Sequence, residues 1–159
     1  MIMITCTVIS LMYVKQIKNH TKSVMQCVLL IENIKVLIEY KNMSILEIFN
    51  VVSCSNNYSL LTFLNKINDG LDEYYKTIND VFSDGNIVNI FDYEDIENIK
   101  GFFSMLGVSD ANGQITNCNF YKNFFEKKHI QLETEEKSKC KCVATLTFGV
   151  GLLLSIIII

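Results

Sequence analysis

Apolar residues recur at helical steps along most of the chain. Val24, Cys27, Val28, Ile31, Ile34 and Ile38 are spaced by three, four or one, and Leu30 and Leu37 add a second apolar face. That pattern predicts a helix buried on two sides. Ser44 then starts a short helix, its hydroxyl capping the first amides while Glu47 reaches back, and Ile45, Leu46, Ile48 and Phe49 follow. After the polar SCSNN break, Leu60 to Ile67 reads as another helix, ending near Gly70. Leu71, Tyr74, Tyr75, Ile78 and Phe82 give the next stripe, stopped at Asp84-Gly85. Asp92 caps a helix carrying Ile96, Ile99, Phe102, Phe103 and Leu106, which Gly107 terminates in a left-handed turn. The last helix begins near Ser109 and sets Phe120, Tyr121, Phe124 and Phe125 on one side. It continues as a solvated stalk supported by the pairs Glu133 with Lys137 and Glu135 with Lys139. Asn86 to Phe91 (NIVNIF) is read as a short strand or turn, and no other stretch alternates as a strand would. The expected fold is an all-α antiparallel helix bundle.

Both ends depart from this amphipathic pattern. Val143 to Ile159, VATLTFGVGLLLSIIII, carries no charge and no polar face. As a helix it is roughly 25 Å long, which suits a C-terminal transmembrane helix. Residues 1–14, MIMITCTVISLMYV, are also uncharged but reach only about 21 Å, so they read as a short N-terminal membrane anchor, uncleaved because the lysines follow the apolar stretch instead of preceding it. Lys15, Lys18 and Lys22 follow the first segment, and Lys137, Lys139 and Lys141 precede the second. Cations flank membrane segments on the cytoplasmic side, so residues 15–142 are expected to form a cytoplasmic domain held to the lipid at both ends.

Charge and chemistry narrow the function. A net charge of −3 and a complete absence of arginine argue against nucleic acid, which needs clustered cations along the phosphate track. The six cysteines lack an oxidising context and are read as reduced thiols. His20 and His129 lie in polar, basic surroundings without a metal-ligand spacing, and both are read as solvated surface residues. Cys140 and Cys142 sit two apart at the membrane edge, where a helix points them about 200° apart, so one metal cannot easily take both. Acylation is the other chemistry open to them, and incidental thiols the simplest reading. No phosphate loop, nucleophile elbow or zinc motif is present, so neither a cofactor nor an enzyme is expected.

The run Leu106-Gly-Val-Ser-Asp-Ala-Asn-Gly-Gln114, followed by a long polar helix and the apolar Gly149-Val-Gly-Leu-Leu-Leu end, resembles stage III sporulation protein AB. The match is best over residues 105–159. The amino-terminal layout agrees: a short anchor, basic residues, a long helix ending Ile38-Glu39-Tyr40 and a short helix after Asn42-Met43-Ser44. The prolines and arginines usual in that family are missing here. The resemblance implies a non-enzymatic membrane protein of endospore formation, its helical domain in the mother-cell cytoplasm, within the assembly linking mother cell and forespore. It further implies likeness to the inner-membrane platform protein of type II secretion, with a secretion-type ATPase and other membrane proteins of the channel as partners. Self-association into a homo-oligomer is left open.

Within the resembling segment, Gly107, Ser109, Asp110, Gly113 and Gln114 are expected to form a helix stop and restart, either shaping the bundle or touching a partner. Charge is polarised as well. Nine of the seventeen acidic residues lie between Asp69 and Glu97, with Lys76 the only cation among them. The domain is therefore expected to turn its basic flanks to anionic headgroups and its acids away from them. Asp72, Glu73, Asp80 and Asp84 are the candidate acidic docking surface for the ATPase, against the plainer reading of solvated helix ends. A generic tail-anchored helical adaptor and a membrane-bound thiol enzyme using Cys140 or Cys142 are the alternatives from other classes.

Overall fold

Two long helices set the frame, α1 (Ile2–Lys41) and α6 (Ala111–Ile158), with lengths of about 60 and 72 Å at 1.5 Å per residue. In the computed structural model the described residues are 2–41, 43–83 and 90–158, excluding the side chains of residues 2–6, 72, 75, 83, 144, 146–148 and 150–158. α1 contains neither glycine nor proline, so its backbone ladder passes without a break from the uncharged first turns into the basic stretch at Lys15. Segments expected as an anchor and a separate bundle helix are thus one helix. α6 likewise runs on past Lys141.

The two helices are antiparallel neighbours. The Lys122 ammonium lies 2.7 Å from the Glu32 carboxylate, and Tyr13 is close enough to Lys139 to act on its charge. The interval from Tyr13 to Glu32 on α1 thus nearly matches that from Lys139 back to Lys122 on α6, as expected of two helices lying side by side.

Four shorter helices pack against this hairpin: α2 (Ile45–Ser53), α3 (Phe63–Asp69), α4 (Tyr74–Ser83) and α5 (Tyr93–Met105). Single 3-10 turns lie at Asn56–Tyr58 and Leu71–Glu73. Among the described residues the fold is all-α. Val24, Ile31 and Ile34 of α1 meet Phe49, Phe63, Ile78 and Phe103 from the short helices and Phe125 from α6 in one apolar core. Phe103 stands at its centre, with the rings of Phe102, Phe49, Phe63 and Phe82 at centroid distances of 5.1, 5.7, 5.9 and 6.3 Å.

The caps follow from residue type. The Ser44 hydroxyl accepts from the Glu47 amide at 3.4 Å, and the Glu47 carboxylate accepts from the Ser44 amide at 2.8 Å, closing a capping box. These bonds hold the Glu47 carboxyl below its usual range. Asp92 accepts from the Asp95 amide at 2.9 Å at the start of α5.

Several boundaries differ from expectation. α3 starts at Phe63, preceded by a turn in which Leu60 N–H donates to the Gln26 side chain and Leu61 N–H to the Tyr58 carbonyl, both at 2.9 Å. The stripe from Leu71 to Phe82 divides into a 3-10 turn and α4, and Thr77 donates its hydroxyl to the Gly70 carbonyl at 2.8 Å across the junction. The expected stop at Asp84-Gly85 and most of the NIVNIF segment lie outside the described residues; Ile90 and Phe91 form a turn and a bend. No helix among the described residues is long and apolar enough to cross a membrane. The run 143–159 is helical through Ile158, but most of its side chains lie outside the described set.

Candidate functional site

The antiparallel hairpin brings the two basic flanks to one level. With Tyr13 beside Lys139, Lys15 and Lys18 of α1 lie near the level of Lys137, Lys139 and Lys141 of α6. Past that level both helices turn apolar, α1 toward its start and α6 toward its end. On α1 the described side chains of that part are bare: Ile9 is 66% exposed, Leu11 64% and Met12 67%. One cation of the belt is partly engaged, since Glu135 accepts from Lys139 at 2.8 Å.

Above the belt lies a cluster of charges assembled from three helices. His20 of α1 is hydrogen-bonded through Nε2 to Oδ2 of Asp95 at 2.6 Å, and Asp95 is wholly buried although it sits in the first turn of α5. Lys128 of α6 donates to Asp92 and to Glu94, both at 2.9 Å, and its ammonium is 3.5 Å from the other Asp95 oxygen. Burial works against the Asp92 charge, but the Asp95 amide and the Lys128 ammonium outweigh it and hold the carboxyl below its usual range. Burial likewise works against the Lys128 charge, and the three carboxylates overcome it and push the ammonium pKa well up. His20, Asp92 and Asp95 are the one His-and-carboxylate trio among the described residues with ligand atoms within 4.8 Å of one another. The Lys128 ammonium supplies that trio with the positive charge a metal would otherwise bring. Cys27 is buried nearby, and desolvation together with the Asp95 charge raises its thiol pKa well above the ordinary value, which keeps it protonated and unreactive.

At the opposite end of the bundle, Leu106 closes α5 in an extended conformation and Gly107 takes φ of +82°. Asp110 then accepts from the Gly113 amide at 3.0 Å as the cap of α6, and the Gln114 side chain donates to the Ser109 carbonyl at 2.9 Å. A side chain at Gly107 meets two obstacles: the left-handed backbone, and a clash of its Cβ with Ile45 Cδ1. Gly107→Ala is expected to lower stability by about 1–3 kcal/mol, read as a lower melting temperature of the full chain in detergent. An unchanged melting temperature would show that the turn does not depend on glycine.

Against these sites, a family model for stage III sporulation protein AB matches residues 1–159, the whole chain. The chain belongs to the stage III sporulation protein AB family. Membership in this family places it in sporulation. No curated protein and no solved structure matches it.

Within this family member the residues singled out from sequence have separate fates. Gly107, Ser109, Asp110, Gly113 and Gln114 are brought together in the distal turn. The acidic stretch does not form one free surface. Asp95 is buried, and Asp92 and Glu94 are held by Lys128, a cation from α6 that a count within 69–97 misses. Glu73 is exposed and paired with Lys76 at 2.7 Å, and Asp80 is exposed. The Asp72 side chain and Asp84 lie outside the described residues.

The reading of both histidines as solvated needs correction. His20 is one-fifth exposed and bonded to a buried acid, and His129 buries its Nδ1 without a hydrogen-bond partner among the described residues. His20 and Asp95 are 75 residues apart, so no local spacing signals the pair. A partial signal was present: Asp95 follows Asp92 in the first turn of α5, on the side that carries Ile96 and Ile99 inward. Cys54 and Cys142 are exposed free thiols and Cys140 a half-buried one.

Proposed function

We propose that this chain is a non-catalytic, membrane-anchored scaffold of the assembly linking mother cell and forespore, with residues 15–142 in the mother-cell cytoplasm. The observation that carries this reading is the α1–α6 hairpin, which aligns both basic flanks and sends both apolar ends the same way. The run 143–159 is the stronger membrane segment. Residues 1–14, short for a span of their own, enter beside it as the second leg. Resemblance to the type II secretion platform supplies the expected partner, a secretion-type ATPase, and the exposed acids Glu73 and Asp80 are the described part of its docking surface.

Topology is tested with a native reporter. Cys54 is exposed while Cys27 and Cys118 are buried. In a Cys6→Ser, Cys140→Ser, Cys142→Ser chain, Cys54 should resist a membrane-impermeant maleimide in intact sporulating cells and react once they are opened. Labelling in intact cells would overturn the orientation. Converting Asp72, Glu73, Asp80 and Asp84 to Asn or Gln should weaken capture of the purified ATPase while helicity stays unchanged, since complementary charge mainly speeds and orients association. Undiminished capture across a range of salt concentrations would remove the acids from the interface.

A further inference from the structure

Beside the lysine belt the surface opens into a cleft of about 640 Å³ between the first turns of α1 and Ile90. Its α1 wall is a single helical stripe of Ile9, Met12, Gln16 and Asn19, with Lys15 at the rim. The steps of three and four keep these side chains on one face while their chemistry changes from apolar to amide within about 15 Å. The apolar part points away from the bundle and toward the proposed bilayer; the polar part points toward it. A second cleft of about 320 Å³ shares Tyr13, Gln16 and Ile90 and leads on to His20 and Asp92. Asp92, with its side chain 45% exposed, lines that deeper end and offers carboxylate oxygens, which accept from hydroxyl donors rather than from a phosphate.

We propose that this cleft binds one anionic phospholipid with a hydroxylated headgroup. An acyl chain lies on Ile9 and Met12, the phosphate meets the Lys15 ammonium, and the Gln16 and Asn19 amides hold the phosphate or glycerol oxygens. Three observations favour this occupant over a peptide or a soluble anion. The order of apolar and polar groups along the stripe is that of an amphiphile crossing an interface. The polar-apolar boundary falls at Lys15, on the level where Tyr13 comes near enough to Lys139 to act on its charge, so a lipid seated here keeps the depth of its bulk neighbours. The apolar wall, with Ile9 and Met12 each about two-thirds exposed, is unsuited to a small hydrophilic anion. The cleft adds selectivity to what the belt alone supplies, because a diffuse set of lysines attracts any anionic surface without retaining a particular molecule.

The inference rests on the membrane reading, and its test separates the two. The full chain is reconstituted into vesicles of phosphatidylcholine alone or mixed equally with phosphatidylglycerol, floated on a density gradient, and the lipid retained after gentle detergent extraction is counted by native mass spectrometry. Flotation in both compositions, with one phosphatidylglycerol retained per chain in preference to phosphatidylcholine, is the expected result. Lys15→Gln should reduce retention about fivefold, the worth of one cation at an anionic surface. Lys22→Gln, an exposed belt lysine outside the cleft, should leave it unchanged. Inorganic phosphate in the buffer should not displace the lipid. A chain that fails to float overturns the membrane reading and this proposal with it. A chain that floats but retains both lipids alike, loses retention equally in the two lysine variants, or yields its lipid to free phosphate overturns the cleft alone.

Discussion

Phe103→Ala is expected to lower the folding free energy by about 3–5 kcal/mol, the cost of truncating a buried aromatic that the surroundings cannot close over. Phe103 is 1% exposed, and four other phenylalanine rings touch it from α2, α3, α4 and α5. Removing it therefore opens a void shared by every short helix at once. Native domains hold only about 5–15 kcal/mol in total, so the variant should unfold at much lower urea in a detergent-solubilised full chain, monitored by circular dichroism. Phe120→Ala is the matched control: Phe120 is 64% exposed and its loss should shift stability by no more than about 0.5 kcal/mol. Equal midpoints for the two variants would contradict the placement of Phe103 in the core.

Lys128→Met is the second large effect, expected at about 3 kcal/mol. Breaking a buried pair from one side strands the remaining group, and here that is Asp95, left with the hydrogen bond to His20 among the described residues. Asp92 and Glu94 add less because both carboxylates are substantially exposed, at 45% and 63%. Combining Lys128→Met with Asp95→Asn should recover part of the loss, and a strictly additive double mutant would dismiss the coupling.

The pH dependence has a definite sign. The Asp92 pKa is depressed in the fold, so its contribution is present above the unfolded carboxylate value and is lost as the pH falls through the folded one. The Lys128 pKa is raised, so its contribution is full below the unfolded lysine value and is lost as the pH rises through the folded one. The buried Cys27 and Cys118 thiols, raised by burial, add a loss that begins where an unfolded thiol ionises, so the wild type should be most stable between about pH 4 and pH 8.5. Lys128→Met should show a shallower acid loss and a smaller alkaline one, the remainder coming from the buried Cys27 and Cys118 thiols, measured as unfolding midpoints against pH; a profile identical to wild type would place the linkage elsewhere.

These cases divide what was legible in the chain from what was not. Ser44 with Glu47, and Asp92 ahead of Asp95, are readable because a cap depends on residues within one helical turn. Val24 to Ile38 announce a helix buried on two sides because burial follows a local period. Contrast Leu60: its apolar character suits a helix start, yet it lies in a turn before the helix, its amide donating to Gln26, thirty-four positions away, a contact no local pattern shows. The ion cluster is hidden for the same reason, since His20, Asp95 and Lys128 come from three helices and meet only once the bundle has closed. The same blindness hid that Asp92, Glu94 and Asp95 meet a cation from α6. As for α1, composition changes sharply at Lys15 while the backbone hydrogen bonds do not respond to the change.

That unbroken backbone has a mechanical consequence. With no glycine or proline between Ile2 and Lys41, α1 lacks the sharpest kink formers; the Thr21 hydroxyl, donating to the Ile17 carbonyl at 3.2 Å, is a place for a slight bend, and α6 braces it alongside. On the proposed membrane reading, the pair acts as a lever with its fulcrum at the lysines. From Lys15 to Lys41 the arm is about 40 Å, so a tilt of about 10° at the bilayer swings the far end, where Gly107 and Asp110 sit, through about 7 Å. A tilt at one end of this rod is thereby carried to the other without any helix having to change its fold.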